Sequence, residues 1–230
     1  MLWLRDLTPG AGWGVLDHHG APKVAWHHLR RALAPVAVWT TDEGLNGVAV
    51  HVANDRPNSL AAELRVALYA GEREVGRGEV TITVPPYTAV EDDAEAILGR
   101  WADAAYAYRF GPPAHDVVVA TLARGGVALA QAFRFPVGPP ATRADAAELG
   151  ARAWIADGAL VVDSRALLYG VRVHLPGRRP ADDAFHVAPG ERRVVGLTPP
   201  AARPNGAPGH LTALNLAGRL YVDAYPSEPP

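Results

Sequence analysis

Three kinds of side-chain group in this sequence could do chemistry. Histidines pair at His18–His19 and His27–His28, and imidazoles hold zinc and other transition metals. Adjacent residues on a helix point about 100° apart, so His27 and His28 do not easily face one ion. No HExxH motif accompanies either pair, and surface or interface histidines are the simpler reading. Carboxylates cluster in "EDDAE" (91–95) and at Asp182–Asp183. Acid–base catalysis needs two carboxyls in one cleft with pKa values driven apart. A charge run such as 91–95 is ordinarily a solvated face, and Asp182–Asp183 reads as the start of a turn before "AFHV". Aromatics in loops form the third group. Trp3 and Trp13 flank "LRDLTPGAG", and "WADAAYAYRF" covers 101–110. Aromatic faces stack on sugar C–H groups while a carboxylate takes hydroxyl hydrogen bonds, so Trp3 with Asp6 at the end of a strand suits saccharide binding. Equally, both tryptophans fit the core of a further layer. The 101–110 cluster reads first as core and inter-domain packing, with a carbohydrate platform as the alternative. There is no GxSxG elbow, P-loop or dinucleotide fingerprint, so neither a cofactor nor a metal is expected.

The elements that must position these groups show in the hydrophobic period. Residues 2–5, "LWLR", form a short strand, and "TPGAGWG" is loop chemistry. A helix follows, with Pro22 in its first turn and Pro35 ending it. Val24, Ala25, His28, Leu29, Ala32 and Leu33 share one face of it, with Lys23, His27, Arg30 and Arg31 largely opposite. From residue 36 the period changes to two. Val48, Val50 and Val52 alternate with Ala49, His51 and Ala53; Leu64, Val66 and Leu68 do the same, as do Val80, Ile82 and Val84. "GG" at 125–126 marks a hairpin between two apolar runs. These strands over 36–136 predict an immunoglobulin-like antiparallel β-sandwich. A Pro-rich linker begins at 136. Strands at 151–157, 159–164, 167–175, 192–197, 210–216 and 219–225 then predict a second, smaller sandwich over 137–230, with an exposed loop at 198–209. The fold class is therefore mainly β.

Composition sets outer limits. The 230 residues are 49% apolar and 20% charged, enough for folded cores. A net charge of −2 gives no reason to expect nucleic acid or an anionic membrane. No apolar run is long enough to span a bilayer. "MLWLRDLTPG" lacks the basic and apolar regions of a secretory signal. Cysteine is absent, which removes disulfides and thiolate chemistry and fits a cytoplasmic location.

The N-terminal residues resemble the end of the catalytic barrel in β-mannosidase-like members of glycoside hydrolase family 2. The resemblance rests on Trp3, Asp6 and Pro9, on "GWGVLD" (12–17), on Gly20, Pro22 and Lys23, and on Arg30 to Ala32 with Pro35. "VHVANDRP" (50–57) resembles a strand and turn of the sandwich after the barrel, and "ADDAFHVAPGERRVV" (181–195) resembles part of the last sandwich. Thr8 stands where such proteins often have a second tryptophan. The resemblance implies that residues 1–35 are the last strand and helix of a (β/α)8 barrel, ahead of the two sandwiches. It implies that Trp3 lines a terminal mannose subsite and that Asp6 belongs to its polar rim. It also implies that the two catalytic glutamates lie on earlier barrel strands. The chain would then be a non-catalytic C-terminal segment, inactive alone, whose partner is the upstream barrel in the same or a separate chain, with a mannose-containing saccharide as candidate ligand. A free-standing carbohydrate-binding or protein-interaction module is the alternative. Without the barrel, the helix would have only the first sandwich to lean on, leaving residues 1–34 exposed.

Overall fold

The computed structural model describes residues 2–10, 12–198 and 209–223. The chain divides into two compact units. One comprises residues 33–139, and the other joins residues 1–32 to 140–230.

The chain starts with β1 (Trp3–Arg5) and β2 (Gly14–Leu16), which pair in parallel with Trp3 opposite Gly14 and Arg5 opposite Leu16. Parallel strands are ordinarily linked through a crossover of a dozen or more residues; here residues 6–13 suffice. Helix α1 (Val24–Ala32) follows, shorter at both ends than the prolines predict. Arg30 and Arg31 lie in its last turn, where cations complement the helix dipole.

The 33–139 unit holds β3 (Val36–Asp42), β4 (Val48–Asn54), β5 (Leu60–Ala70), β6 (Arg73–Val84), β7 (Thr88–Asp93), α2 (Ala94–Leu98), β8 (Val117–Arg124) and β9 (Val127–Arg134). Two antiparallel sheets, β3-β4-β7 and β6-β5-β8-β9, form it. The period-two reading holds where it matters: Val48, Val50, Val52, Leu64, Val66 and Leu68 all lie in one buried cluster with Val118, Ala120 and Leu122. Gly125 and Gly126 both have positive φ, which lets a two-residue turn follow the strand twist between β8 and β9. Strand β7 was not expected; "PPYTAVEDD" carries no clean alternation, and its pairing on β4 supplies the order that its sequence lacks. The "VANDRP" segment also has a physical explanation. Asn54 is fully buried at the end of β4, and its amide donates to the carbonyls of Asn58, Val84 and Pro85 at 2.9–3.1 Å while its oxygen accepts from the Arg56 N–H.

The second unit continues with α3 (Ala146–Leu149), β10 (Arg152–Ala156), β11 (Ala159–Asp163), β12 (Leu168–His174), β13 (Arg179–Pro180), β14 (Phe185–Val187), β15 (Arg192–Val195), β16 (Leu197–Thr198), β17 (His210–Thr212) and β18 (Leu220–Tyr221). Its main sheets are β10-β11-β15 and β14-β12-β17-β18, around a core with Leu160, Leu168, Phe185 and Leu211. The loop expected over 198–209 and the end of the strand expected over 219–225 fall mostly outside the described residues. No helix among the described residues is long and apolar enough to cross a membrane.

Candidate functional site

Asp6 organises the N-terminal loop. Its carboxylate accepts the Gly14 N–H at 2.7 Å and pairs with the Lys23 ammonium, while its own N–H donates to the Leu16 carbonyl at 3.1 Å. Lys23 also donates to the Gly12 carbonyl at 3.1 Å. A Cβ on Gly12 would land on the Asp6 carboxylate, and one on Gly14 would sit 2.6 Å from its Oδ1. The glycines of "GWG" are thus the space into which Asp6 reaches. The side chain of Asp6 is 7% exposed, so this carboxylate ties the loop together rather than standing free in solvent. Asp17 closes the next turn, accepting N–H bonds from His19 and Ala21 at 2.9 and 2.8 Å. Trp3 lies on β1, 59% exposed, with Leu2, Leu4, Leu7 and Trp13 also exposed.

The Lys23 ammonium, then the Gly14 N–H, hold the Asp6 carboxyl below its ordinary value of 3.8. A depressed folded-state pKa means that the tie is fully present above the ordinary value and is lost as pH falls through the lower folded one. The Gly14 amide proton resonance should therefore keep its hydrogen-bonded shift through the usual aspartate range. It should move only on further acidification, and Asp6→Asn should remove that titration. A transition at or above the ordinary value would contradict the assignment.

Helix α1 packs with the opposite face from the one expected. His27 is buried and Arg31 partly so, whereas Val24, Ala25, Ala32 and Leu33 are exposed. The reason is the segment it meets. Arg31 Nη1 reaches Asp182 at 2.6 Å and the Asp183 carbonyl at 3.0 Å, and its Nη2 reaches the Ala184 carbonyl at 2.9 Å. Arg30 donates to the Ala181 carbonyl. Asp182 also receives Arg193 at 2.6 Å, and Asp183 accepts from Arg172 at 2.7 Å and from the Val173 N–H at 2.8 Å. The helix is fastened to the second sandwich by polar bonds, which corrects the expectation that it would lean on the first. Beside this cluster, burial and then the positive charge of Arg31 push His186 down to about 4. Its Nδ1 accepts the Gly170 N–H at 3.0 Å.

Members of both acidic clusters serve as structural acceptors. In the 91–95 run, Asp93 caps α2 by accepting the Ala96 N–H at 2.8 Å, and Glu95 accepts the Ala104 N–H at 2.8 Å. No group of three His, Cys, Asp or Glu among the described residues is arranged to hold a metal ion. The 101–110 cluster departs from the packing expectation. Ala104 and Ala105 are buried, but Trp101 is 63% and Phe110 82% exposed. Trp101 meets Tyr108 edge to face at 5.6 Å, and Tyr108 lies 5.9 Å from Phe110. The loop is held in shape by Asp103, which accepts the N–H groups of Ala107 and Tyr108 at 2.8 and 3.2 Å, and by Tyr108 Oη donating to the Leu45 carbonyl at 3.1 Å. Asp103, Tyr106 and Arg109 all have positive φ, a strain that such clamping sustains.

The fold is mainly β, with antiparallel sheets packed as sandwiches. Solved structures share this fold. A β-D-mannosidase from Dictyoglomus thermophilum is similar with a TM-score of 0.69 at 16% identity, over 94% of this chain and 26% of the mannosidase chain. An exo-chitosanase from Amycolatopsis orientalis is similar with a TM-score of 0.59 at 14% identity, over 96% of this chain and 30% of its own. The chain thus spans about a quarter to a third of these structures. No family model and no curated protein matches it.

Proposed function

We propose that this chain is the non-catalytic C-terminal segment of a β-mannosidase-like glycoside hydrolase of family 2. In this reading β1, β2 and α1 complete a barrel supplied by upstream polypeptide, in the same gene product or a separate chain. Trp3 borders the sugar pocket, and Asp6 fixes the loop at its rim. A mannose-containing saccharide is the substrate class of the assembled enzyme, the two catalytic glutamates belong to the upstream part, and a cytoplasmic setting suits a chain without cysteine. The observation that carries the reading is β1 itself. Two-stranded parallel pairs are ordinarily covered on both faces, yet every residue of β1 is exposed. Val24, Ala25 and Ala32 on the apolar stripe of α1 are exposed as well, with Leu29 half-buried.

The isolated chain should not turn over an aryl β-mannoside, and the DNA ahead of Met1 should encode an in-frame barrel. Co-expressing that polypeptide should bury Trp3, shifting its fluorescence to the blue, and yield hydrolysis. Turnover by the isolated chain, or the absence of any barrel that binds it, would overturn the reading. A second reading, a free-standing carbohydrate-binding module, is favoured by the clamped and exposed rings of Trp101, Tyr108 and Phe110. Saturable fluorescence quenching by manno-oligosaccharides, lost in Trp101→Ala, would put that reading first.

A further inference from the structure

The contact between α1 and the second sandwich has a titratable group at its centre. His27 is 7% exposed, and its Nδ1 is buried without a hydrogen-bond partner among the described residues, 3.6 Å from Asp182 Oδ1. That oxygen is already engaged. It accepts from Arg31 Nη1 at 2.6 Å and from the Asp183 N–H at 3.0 Å, while Asp182 Oδ2 accepts from Arg193 at 2.6 Å. Asp183 in turn accepts from Arg172 and from the Val173 N–H. A proton arriving on His27 Nδ1 would therefore be buried beside two carboxylates that are both committed to other donors.

The groups that face His27 come from four segments. Helix α1 itself brings His28 and Arg31, residues 181–184 bring Asp182 and Asp183, β12 brings Arg172, and β15 brings Arg193 through its bond to Asp182. An imidazolium here would join three guanidiniums that already share these two carboxylates, and burying a charge without a close partner is costly. Burial accordingly pushes the His27 imidazole below its usual 6.5, against the pull of Asp183 and Asp182. Burial and then Arg31 act on His28 in the same direction, and His186 beside the cluster stays neutral down to about 4. A depressed folded-state pKa gives stability that is fully present above the unfolded value and is lost as pH falls through the folded one. The helix has little else to hold it. Arg30 and Arg31 make its bonds to residues 181–184, while Val24, Ala25 and Ala32 are exposed.

We propose that His27 is a proton-operated latch: α1 stays docked on the second sandwich while the imidazole is neutral and is released when it takes up a proton. The latch belongs to the contact of α1 with the second sandwich, so it stands whether or not residues 1–35 complete a barrel.

The test is amide exchange of the full chain by NMR, corrected for the intrinsic pH dependence of exchange, from about pH 7.5 to about pH 5, above the ordinary carboxylate range. Protection over residues 24–32 should fall as pH drops below about 6.5, by up to about tenfold per pH unit for one proton taken up on opening. Protection of β10 and β11 should stay constant. The His27 ring C–H resonance, followed in the same samples, should titrate with a midpoint below the usual histidine value. His27→Gln stays neutral at every pH and should remove most of the pH dependence, whereas His28→Gln, at an exposed position, should remove little. If His27→Gln loosens the helix at every pH, the ring titration of the unaltered chain still decides. Protection that does not change with pH, a His27 midpoint at or above the usual value, or a pH dependence that survives His27→Gln would overturn the proposal.

Discussion

Gly78→Ala should destabilise the 33–139 unit by about 3 kcal/mol or more, at the upper end for overpacking. Gly78 lies within β6, opposite Val66 on β5, and the backbone of α2 rests directly on it. A Cβ at this position would land on the Ile97 carbonyl and come within 2.6 Å of the Leu98 Cα. Neither side can yield cheaply. Strand β6 is paired along β5 from Arg73 to Val84, and α2 is pinned by the burial of Ala94, Ile97 and Leu98 and by the Asp93 cap. A domain of this size loses about 4–8 °C of Tm per kcal/mol, so a fall of about 15 °C is expected by differential scanning calorimetry. Gly71→Ala is the control. Gly71 has φ +61° but nothing within 4 Å of its added Cβ, so only the left-handed penalty of about 1–2 kcal/mol applies. A Gly78→Ala cost no larger than that of Gly71→Ala would show that α2 does not hold this close approach to β6 against an added Cβ.

Most of the sandwich framework was legible because burial on one face of a strand leaves a period-two trace. Val48, Val50 and Val52 or Leu64, Val66 and Leu68 announce their strands without help from the rest of the chain. The hairpins at Gly125–Gly126 and Asp157–Gly158 announce themselves through residues that tolerate positive φ, and all four have it. What stayed hidden depended on partners far along the chain. Strand β7 is mostly polar or partly exposed, and only its register on β4 makes it a strand. The amphipathic stripe of α1 was read correctly, but which face is buried was not. That choice is made by residues 181–184, some 151 positions away from Arg30 and Arg31. Local periodicity measures apolar clustering and does not register a strong polar acceptor set. The same limit applied to the chemistry. Asp182 and Asp183 read as turn residues, and Glu95 as part of a solvated run, because their arginine and N–H partners are not neighbours in sequence.

Asp182→Ala should cost the second unit about 2–3 kcal/mol and release α1. Removing one partner of a well-formed buried ion pair costs about 3–5 kcal/mol, and the figure is reduced here because Asp182, Arg31 and Arg193 all keep part of their side chains in solvent. The loss is not that of a single pair. Asp182 sits between two guanidiniums at 2.6 Å each, so its removal leaves Arg31 and Arg193 facing one another with only the Asp183 carboxylate, already bonded to Arg172, acting on Arg31. Arg31 would still reach the Asp183 and Ala184 carbonyls, whose dipoles cannot replace a carboxylate. Because the apolar stripe of α1 contributes little to holding the helix, the amides of residues 24–32 should lose most of their exchange protection while those of β10 to β12 keep theirs. Asp182→Asn, which preserves acceptor geometry without the charge, should fall about halfway. The cycle of Asp182→Ala with Arg31→Ala should show a coupling of about 1 kcal/mol or more. A helix whose protection survives Asp182→Ala would have to be held by its apolar face, and the uncovered stripe invoked for barrel completion would then be covered within this chain. The polar tether and the exposed stripe are therefore two sides of one fact: α1 turns its charged face to the second sandwich, which leaves most of its apolar face in solvent.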